Sequence, residues 1–188
     1  MNPDLIAYPW IATAIVWVLG AFTSKRTVRR QGGSYRWLEF CAVFLAYNLL
    51  FNRRLFQHGV LSARWLPDSP ALGWTGLAIA TAGAAFAIAA RFYIGRNWSS
   101  AVTLKQNHEL IRTGPYGLVR HPIYAGLILA LAGTAIAIGE VRGLIAVPPA
   151  IAAWRHKANT EERLMQQQFG AEYERYRREV KGLIPFVW

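Results

Sequence analysis

The chain alternates between long apolar runs and short basic segments. Three of the runs, residues 5–22, 71–90 and 122–139, carry no charged side chain. An uninterrupted apolar run of about 18 residues or more is long enough to cross a lipid bilayer as an α-helix. We therefore predict that these three runs are transmembrane helices.

Two shorter apolar stretches extend this pattern. Residues 37–51 contain a single charge, Glu39, and residues 143–154 are interrupted by Pro148-Pro149. The second stretch is too short to span a bilayer alone unless it extends or pairs closely with the helix before it. The whole pattern predicts an all-α, polytopic membrane protein with about five transmembrane helices.

The remaining segments are polar. Residues 91–121 include a predicted extended piece at 101–104 and a turn at Gly114-Pro115-Tyr116. Residues 155–179 are polar and helix-prone, and we expect them to form a cytosolic helix that packs one face on an apolar surface. The residues that mark this face recur at helical spacing and are Leu164, Phe169, Tyr173 and Tyr176.

The formal net charge of +11 is explained by the distribution of the basic residues. If the amino terminus is outside and five helices cross the membrane, most of the 21 lysine and arginine residues lie on the inner side. This asymmetry follows the positive-inside rule and predicts a cytoplasmic carboxyl terminus. The basic segments then contact anionic lipid head groups, and nucleic acid is not an expected partner.

Several classes of protein are disfavoured by what the sequence lacks. Cys41 is the single cysteine, which excludes a disulfide framework and a cysteine-based zinc site. The sequence contains no GxGxxG, P-loop or HExxH motif, and we expect no metal. The amino terminus lacks a basic region and an obvious small-residue cleavage site, so we expect the first apolar run to be retained.

A group of polar residues stands at the start of the fourth apolar run, in Arg120-His121-Pro122-Ile123-Tyr124. Proline disfavours a helical conformation in the residue before it and is itself a common first helical residue. His121 is therefore expected at the helix cap, where unpaired amides and the positive end of the helix dipole meet. Such a place is suited to an anionic group.

With these residues, the sequence resembles the isoprenylcysteine carboxyl methyltransferase family and the related phospholipid methyltransferases, which are integral membrane enzymes that use S-adenosylmethionine. The resemblance covers about residues 91–188. It rests on ordered motifs, which are His108-Glu109-Leu110-Ile111, Gly114-Pro115-Tyr116, Arg120 to Tyr124, Glu161-Glu162, Phe169-Gly170 and Tyr173. It implies that residues 1–90 shape substrate access and that residues 91–188 hold the cofactor and carry out catalysis.

The resemblance also implies roles for individual residues. The segment His108 to Ile111, Tyr116, and the segment His121-Pro122-Ile123-Tyr124 would bind the cofactor, and Glu161 would contact it from the last helix. A basic residue four positions before Glu161 serves the substrate in the family. It is an arginine in the eukaryotic enzymes and Lys157 here. Lysine lacks the planar fork with which arginine holds a carboxylate, so the identity of the acceptor stays open.

The chemistry of the donor agrees with these positions. Its carboxylate suits Arg120 and His121, and its ammonium suits Glu161 or Glu162. Its adenine suits a wall formed by residues such as Leu110, Ile111 and Tyr116. The candidate catalytic residues are Lys157, Glu161 and Arg120.

A lipophilic carboxylate is the preferred acceptor, since no convincing general base for an amine or a phenol stands out. The alternatives are a membrane enzyme that methylates a small thiol or a phospholipid amine, an NADPH-binding membrane reductase, and a membrane protein without catalysis. The sequence does not indicate the oligomeric state.

Some polar and aromatic residues are expected to have structural roles and not to take part in binding or catalysis. Glu162 is expected to be a solvated neighbour of Glu161, and Arg120 is an equally good interfacial anchor. Tyr173 and Tyr176 are expected to pack a helix. Glu140 and Arg142 are expected to be solvated. Trp98 and Trp154 are expected at the membrane interface, and contact with the substrate is the alternative for Trp98.

Overall fold

The structure is a computed structural model, and it describes residues 2–22, 27–30, 35–56, 58–98, 103–105 and 109–183. Within these ranges the chain is built mainly of helices. In chain order the elements are α1 Tyr8–Phe22, β1 Thr27–Arg30, α2 Tyr35–Phe51, α3 Pro70–Ile94, β2 Thr103–Lys105, α4 Pro115–Leu118, α5 Pro122–Ile138, α6 Val141–Phe169 and α7 Ala171–Glu179. Single 3₁₀ turns lie at Pro3–Ala7, Arg53–Phe56, Val60–Ser62 and Gly95–Asn97.

The predicted all-α class is confirmed for the body of the protein. Two short strands, β1 and β2, add an antiparallel ribbon at its edge. The predicted extended piece at 101–104 falls partly on β2, while residues 101 and 102 lie outside the described residues.

The centre of the fold is the antiparallel pair of α3 and α5, which touch backbone to backbone. A Cβ added at Gly83 would lie 2.4 Å from the Ala130 nitrogen, and a Cβ at Gly126 would lie 2.6 Å from the Gly83 oxygen. Gly76 and Gly133 meet in the same way one heptad further along. Small residues permit this close approach, which is typical of helix pairs in membranes.

α6 differs from its prediction because it is one continuous helix rather than a short span followed by a separate tail. It runs through Pro148 and Pro149 without ending. At 1.5 Å per residue its length is about 44 Å, so it reaches from the turn after α5 to the far end of the bundle. It ends at Gly170, whose φ of 50° redirects the chain into α7.

The turn between α5 and α6 corrects the prediction of a solvated Glu140 and Arg142. Arg142 is 2% exposed, and its Nε donates to Glu140 at 2.6 Å. Its Nη1 donates to the carbonyls of Leu49 and Leu50 at the end of α2. The last carbonyls of a helix lack partners within it, so a buried arginine there fastens α6 to α2.

The apolar helices agree only in part with the predicted spans. Within the described residues, Asp4–Phe22 and Pro70–Ile94 are long and apolar enough to cross a membrane by length and composition. Phe40–Phe51 and Pro122–Ile138 are apolar but shorter. The first helix exposes much of its apolar surface, with Phe22 85% and Leu19 63% exposed. Two helices are thus clear candidates for membrane spans among the described residues, and five spans remain a prediction.

Candidate functional site

A cavity of about 280 Å³ opens at the end of the bundle where α5 begins. It is enclosed by the end of α3, residues 109–111, α4, the start of α5, the second half of α6, and α7. Each predicted site residue in the described ranges lines it, namely Glu109, Leu110, Ile111, Tyr116, Arg120, His121, Pro122, Ile123, Tyr124, Lys157 and Glu161. His108, which was also predicted to bind the cofactor, lies outside the described residues.

His121 occupies the predicted cap of α5, with φ −123° and ψ 63° before Pro122. Its ring is not used to cap the helix. The backbone amides of Arg120 and His121 instead donate to the carbonyls of Lys181 and Gly182, at 2.8 and 3.0 Å. The segment after α7 therefore fixes the start of α5, and the His121 ring turns toward α6.

The ring of His121 lies between two carboxylates of α6. Its Nδ1 is 3.5 Å from Glu161 and its Nε2 is 3.1 Å from Glu162. Burial alone would lower the pKa of His121, but the hydrogen bonds and negative charges of both glutamates raise it above its ordinary value. The two carboxylates therefore favour the protonated form of the imidazole.

Glu161 is the carboxylate that faces the cavity. Burial would raise its pKa, but the hydrogen bond and charge of His121, together with Lys157 and Tyr124, lower it. The Tyr124 hydroxyl donates to Glu161 at 2.5 Å, and the Tyr124 ring stacks on His121 with centroids 5.7 Å apart. The ammonium of Lys157 lies 5.7 Å from the centre of the Tyr124 ring. Glu161 therefore stays ionised at the edge of an aromatic and cationic surface.

Glu162 is more than a solvated neighbour, which corrects the sequence-based expectation. Its Oε1 accepts from Arg120 Nη2 at 2.7 Å and from Arg120 Nε at 3.0 Å. These contacts, with His121, lower the pKa of Glu162 to about 2 although burial opposes the shift. The guanidinium of Arg120 also donates to the carbonyls of Arg177 and Val180. The Arg120 guanidinium is therefore hydrogen-bonded to other parts of the protein. It connects the start of α5 to α6 and to the end of α7.

Tyrosines of α4 and α7 close the cavity on one side. The Tyr176 hydroxyl donates to the Tyr116 carbonyl at 2.6 Å, which ties α7 to α4. Tyr173 and Tyr176 pack edge to face, as expected for a packed helix face, and both also line the cavity. Burial raises the pKa of the Tyr116, Tyr173 and Tyr176 phenols, so they remain neutral donors.

An aromatic wall forms the opposite side, and sequence reasoning largely missed it. Trp98 is 7% exposed and packs edge to face on Trp17 of α1 at 6.1 Å. The guanidinium of Arg91 lies 4.2 Å above the Trp98 ring. Other members of this wall are Ile94, Leu127 and Trp154. Trp98 and Trp154 thus face a cavity. Trp154 ends the apolar run 143–154, whereas Trp98 lies beyond the run 71–90 in a polar segment.

The cavity fits the donor that the motifs imply. It offers an ionised carboxylate in Glu161 for an ammonium, cationic groups in His121 and Lys157 for a carboxylate, and flat apolar surfaces for a ring. Within the described residues no cluster of three or more histidine, cysteine, aspartate or glutamate side chains could hold a metal ion.

Fold and site together define a helical protein with an apolar body and a cavity of paired charges and aromatic side chains at the start of α5. A family model described as phospholipid methyltransferase matches residues 72–172, which run from α3 to the first turn of α7 and include all the cavity-lining residues except Trp17, Tyr173 and Tyr176. The chain therefore belongs to the phospholipid methyltransferase family. The resemblance that the motifs predict is confirmed.

The chain is also similar to several named proteins, two of which are called methyltransferases. The chain is 31% identical to protein-S-isoprenylcysteine O-methyltransferase B of Arabidopsis thaliana over 98 residues, which are 50% of this chain and 49% of that protein. It is 32% identical to the Schizosaccharomyces pombe protein-S-isoprenylcysteine O-methyltransferase over 98 residues, 50% of this chain and 41% of that protein. It is 29% identical to the cobalt-zinc-cadmium resistance protein CzcN of Cupriavidus metallidurans over 135 residues, 70% of this chain and 56% of that protein. The chain spans about half the length of the relatives it matches.

Proposed function

We propose that this protein transfers a methyl group from S-adenosylmethionine to a carboxylate on a lipophilic acceptor, such as a prenylcysteine, at the membrane. The observation that carries the proposal is the meeting, in one cavity, of the charged groups Lys157, His121 and Glu161 with the aromatic wall around Trp98. The names of the relatives favour a prenylcysteine carboxylate.

The donor would be held by groups of α5 and α6. The lowered pKa of Glu161 favours the carboxylate form, which would pair with the ammonium, while a protonated His121 would attract the carboxylate of the donor. The backbone of residues 109–111, with His108, would line the adenine and ribose, and Tyr116 would cover them from α4. Pro122, Ile123 and Tyr124 would close around the polar end.

Lys157 would hold the carboxylate of the acceptor. The Lys157 ammonium lies beside the Tyr124 ring at the polar end of the cavity. An acceptor carboxylate would be electrostatically favoured next to this positive charge. A primary ammonium would hold it as a point charge, without the two parallel bonds of an arginine.

The role of Arg120 in this proposal is positioning. Its bonds to Glu162 and to the carbonyls of Arg177 and Val180 would orient the glutamate that in turn holds His121. A fixed His121 ring is needed for a fixed donor, because misplacement of the reacting groups is costly in rate.

The donor supplies an electrophilic methyl carbon on a cationic sulfur, and transfer forms a carbon–oxygen bond as the carbon–sulfur bond breaks. The chain's part would be to align the acceptor and exclude water. Charge is lost as a sulfonium and a carboxylate react, so the tryptophans and tyrosines around the cavity would favour the reaction by keeping it dry. An ionised carboxylate requires no general base.

The proposed partners and location follow from the same features. The acceptor would be a lipophilic small molecule or a lipidated protein that enters from the bilayer, while the donor would arrive from the cytoplasm. The protein would be multi-pass, with residues 1–90 shaping access and residues 91–188 holding the catalytic region.

One observation supports a second candidate, a phospholipid amine. The matching family model is described as phospholipid methyltransferase, and phospholipids such as phosphatidylethanolamine carry an amine. The experiment must also distinguish three other possibilities. The acceptor would be a small thiol, or the protein would be a reductase that binds NADPH, or it would have no catalytic activity.

The test is a binding and transfer experiment on the purified protein in detergent. We expect S-adenosylmethionine and not NADPH to bind, and labelled methyl to pass to a farnesylated cysteine in preference to fatty acids, small thiols and phospholipid amines. Glu161→Gln and His121→Ala should each weaken donor binding by about 1–3 kcal/mol, the cost of removing a charged partner. Glu172→Gln is the control, because its ion pair with Arg112 is outside the cavity. Donor affinity unchanged in both site variants would exclude the assignment.

Substitutions of Lys157 test whether the acceptor is a carboxylate or an amine. Lys157→Met should lower kcat/KM for the farnesylated carboxylate by about 10- to 100-fold, since a half-buried charge partner is lost. Lys157→Arg should keep most of the rate. If the acceptor is an amine, Lys157→Met should leave kcat/KM unchanged or raise it, because a cation near the amine is removed. Arg175→Met, an exposed charge on α7, is the matched control.

A further inference from the structure

A second pocket, of about 290 Å³, borders the start of α5 beside the cavity described above. The two share Arg120 and His121 in their walls. Four arginine or lysine side chains line the second pocket, and Glu162 is the one acidic residue in its lining. We call it the basic pocket, after its four cations Arg120, Arg155, Arg177 and Lys181.

The basic pocket lies where the apolar part of α6 ends. Arg155 follows directly on the apolar stretch 143–154, and Glu162 lies seven positions further on, on the same face of the helix. Arg177 belongs to the last turn of α7, and Lys181 follows that helix. In a membrane protein, basic residues at the end of an apolar helix lie at the level of the lipid head groups.

The one carboxylate in the lining leaves most of the positive charge without compensation. Glu162 Oε1 already accepts from Arg120 Nη2 at 2.7 Å. Arg177 lies 3.7 Å from Glu162 and 4.0 Å from Glu174, and its side chain is 54% exposed. Exposed ion pairs of this length are weak, so Arg177 is able to turn toward an incoming anion. Arg155 and Lys181 are also exposed and accessible to a ligand.

The donors in the basic pocket suit a phosphate group. Arginine holds phosphate oxygens with two parallel bonds, and lysine holds them as a point charge. Asn159 lines the pocket between Arg155 and Glu162 on α6, and its amide is a further donor. The cations come from α6, from α7 and from the segment after α7. A phosphate has enough acceptor oxygens to bond to all three, whereas a carboxylate has two.

From this arrangement we infer that the basic pocket binds a phosphate group with a net negative charge, carried by an anionic lipid head group or free in the cytoplasm. Lys181 connects such a ligand to the cavity. Its carbonyl accepts from the Arg120 amide at 2.8 Å, next to the bond from the His121 amide to the Gly182 carbonyl. A phosphate held by the Lys181 ammonium therefore stabilises the segment that fixes the start of α5.

The test measures the thermal midpoint of the purified protein in detergent, without methyl donor or acceptor. Inorganic phosphate is compared with sodium chloride at equal ionic strength, and micelles with phosphatidylglycerol are compared with micelles with phosphatidylcholine. We expect inorganic phosphate or phosphatidylglycerol to raise the midpoint by about 2–4 °C over its reference. A rise with phosphatidylglycerol alone identifies a lipid as the ligand, and a rise with inorganic phosphate shows that the free anion is sufficient.

Matched variants separate a specific pocket from a general effect of charge. Lys181→Gln and Arg155→Gln should each lose at least half of the rise, with midpoints close to wild type in the reference conditions. Arg178→Gln removes an exposed arginine of α7 that does not line the basic pocket, and it should keep the full rise.

Two results would overturn the inference. One is an absent rise in the wild-type protein, and the other is a rise of the same size in Lys181→Gln, Arg155→Gln and Arg178→Gln. Because neither donor nor acceptor enters the assay, failure of methyl transfer would refute the proposed function and leave this inference standing.

Discussion

His121 and Glu162 form the most tightly connected part of the site. Glu162 accepts hydrogen bonds from Arg120 and lies 3.1 Å from His121 Nε2, and its side chain is only 16% exposed. A buried charge is stable only when its partners are present, and removal of one leaves the others unpaired. The stability of this end of the protein therefore depends on Glu162 more than on any exposed ion pair.

Glu162→Gln should lower the free energy of unfolding by about 3 kcal/mol, because Arg120 and His121 lose their shared anion. The measurement is the thermal midpoint of the purified protein in detergent. Glu172→Gln is the matched control, since its pair with Arg112 is 3.5 Å long and both side chains are about half exposed. That control should cost less than about 1 kcal/mol. Equal effects of the two variants would contradict a buried network.

The shifted pKa of Glu162 predicts that the stability of the protein depends on pH. The pKa of Glu162 is lowered from 4.5 to about 2, so its contribution is complete above pH 4.5 and is lost as pH falls through 2. The stability gap between wild type and Glu162→Gln should therefore close in that window. His121 acts in the opposite sense, because its raised pKa gives a contribution that is complete below pH 6.5 and lost as pH rises. Thermal melting curves recorded across pH measure both contributions. A difference in stability between wild type and Glu162→Gln that stays constant down to pH 2 would refute the prediction for Glu162.

At the scale of elements, the pair of α3 and α5 sets the geometry that the site depends on. α3 ends at the turn that carries Asn97, and α5 begins at His121. The glycine contacts between them leave no room for side chains, so the two ends are held at a fixed separation. A change in this contact is expected to disturb both the stability and the cavity.

Gly83→Val should destabilise the protein by about 3 kcal/mol, because a Cβ at that position would overlap the Ala130 nitrogen and the Gly126 oxygen. Ala85→Val is the control, since Ala85 lies on the exposed side of α3. The control should cost about 0.5 kcal/mol or less, the price of β-branching in a helix. Thermal midpoints in detergent compare the two, and a tolerated valine at Gly83 would show that the helices are further apart.

At the scale of the whole molecule, the family and the apolar helices favour a membrane protein. Two helices have the length and composition to cross a bilayer, and α2 and α5 are shorter. The most basic segments, residues 23–36, 91–121 and 155–181, are expected to stay on the cytoplasmic side, because translocation of several lysine and arginine residues is unfavourable. The cavity would then open toward the cytoplasm, where the donor is found.

This orientation predicts the result of a topology experiment. A reporter fused after residue 188 should be cytoplasmic, and one inserted at residue 58, between α2 and α3, should be external. If both reporters lay on the same side of the membrane, the chain would cross the membrane an even number of times between residues 58 and 188. The five-span arrangement would then be wrong.

The sequence by itself determined the helices and most of the cavity lining. The apolar runs 71–90 and 122–139 match α3 and α5 within a few residues, because apolar length and proline at a helix start are local signals. The motif residues from Glu109 to Tyr124 line the cavity for the same reason, since they lie on one short stretch of chain.

Only the tertiary structure decided the partners of the charged and aromatic residues. Glu162 and Glu161 look alike in sequence, and the burial of Arg142 depends on carbonyls of α2 that are 92 and 93 residues away. Trp17 carries no motif and enters the site because α1 packs on α3. Asn97 lines the cavity because its turn follows the end of α3. Spacing along a helix fixes which face a residue occupies, but what that face meets depends on how distant helices pack.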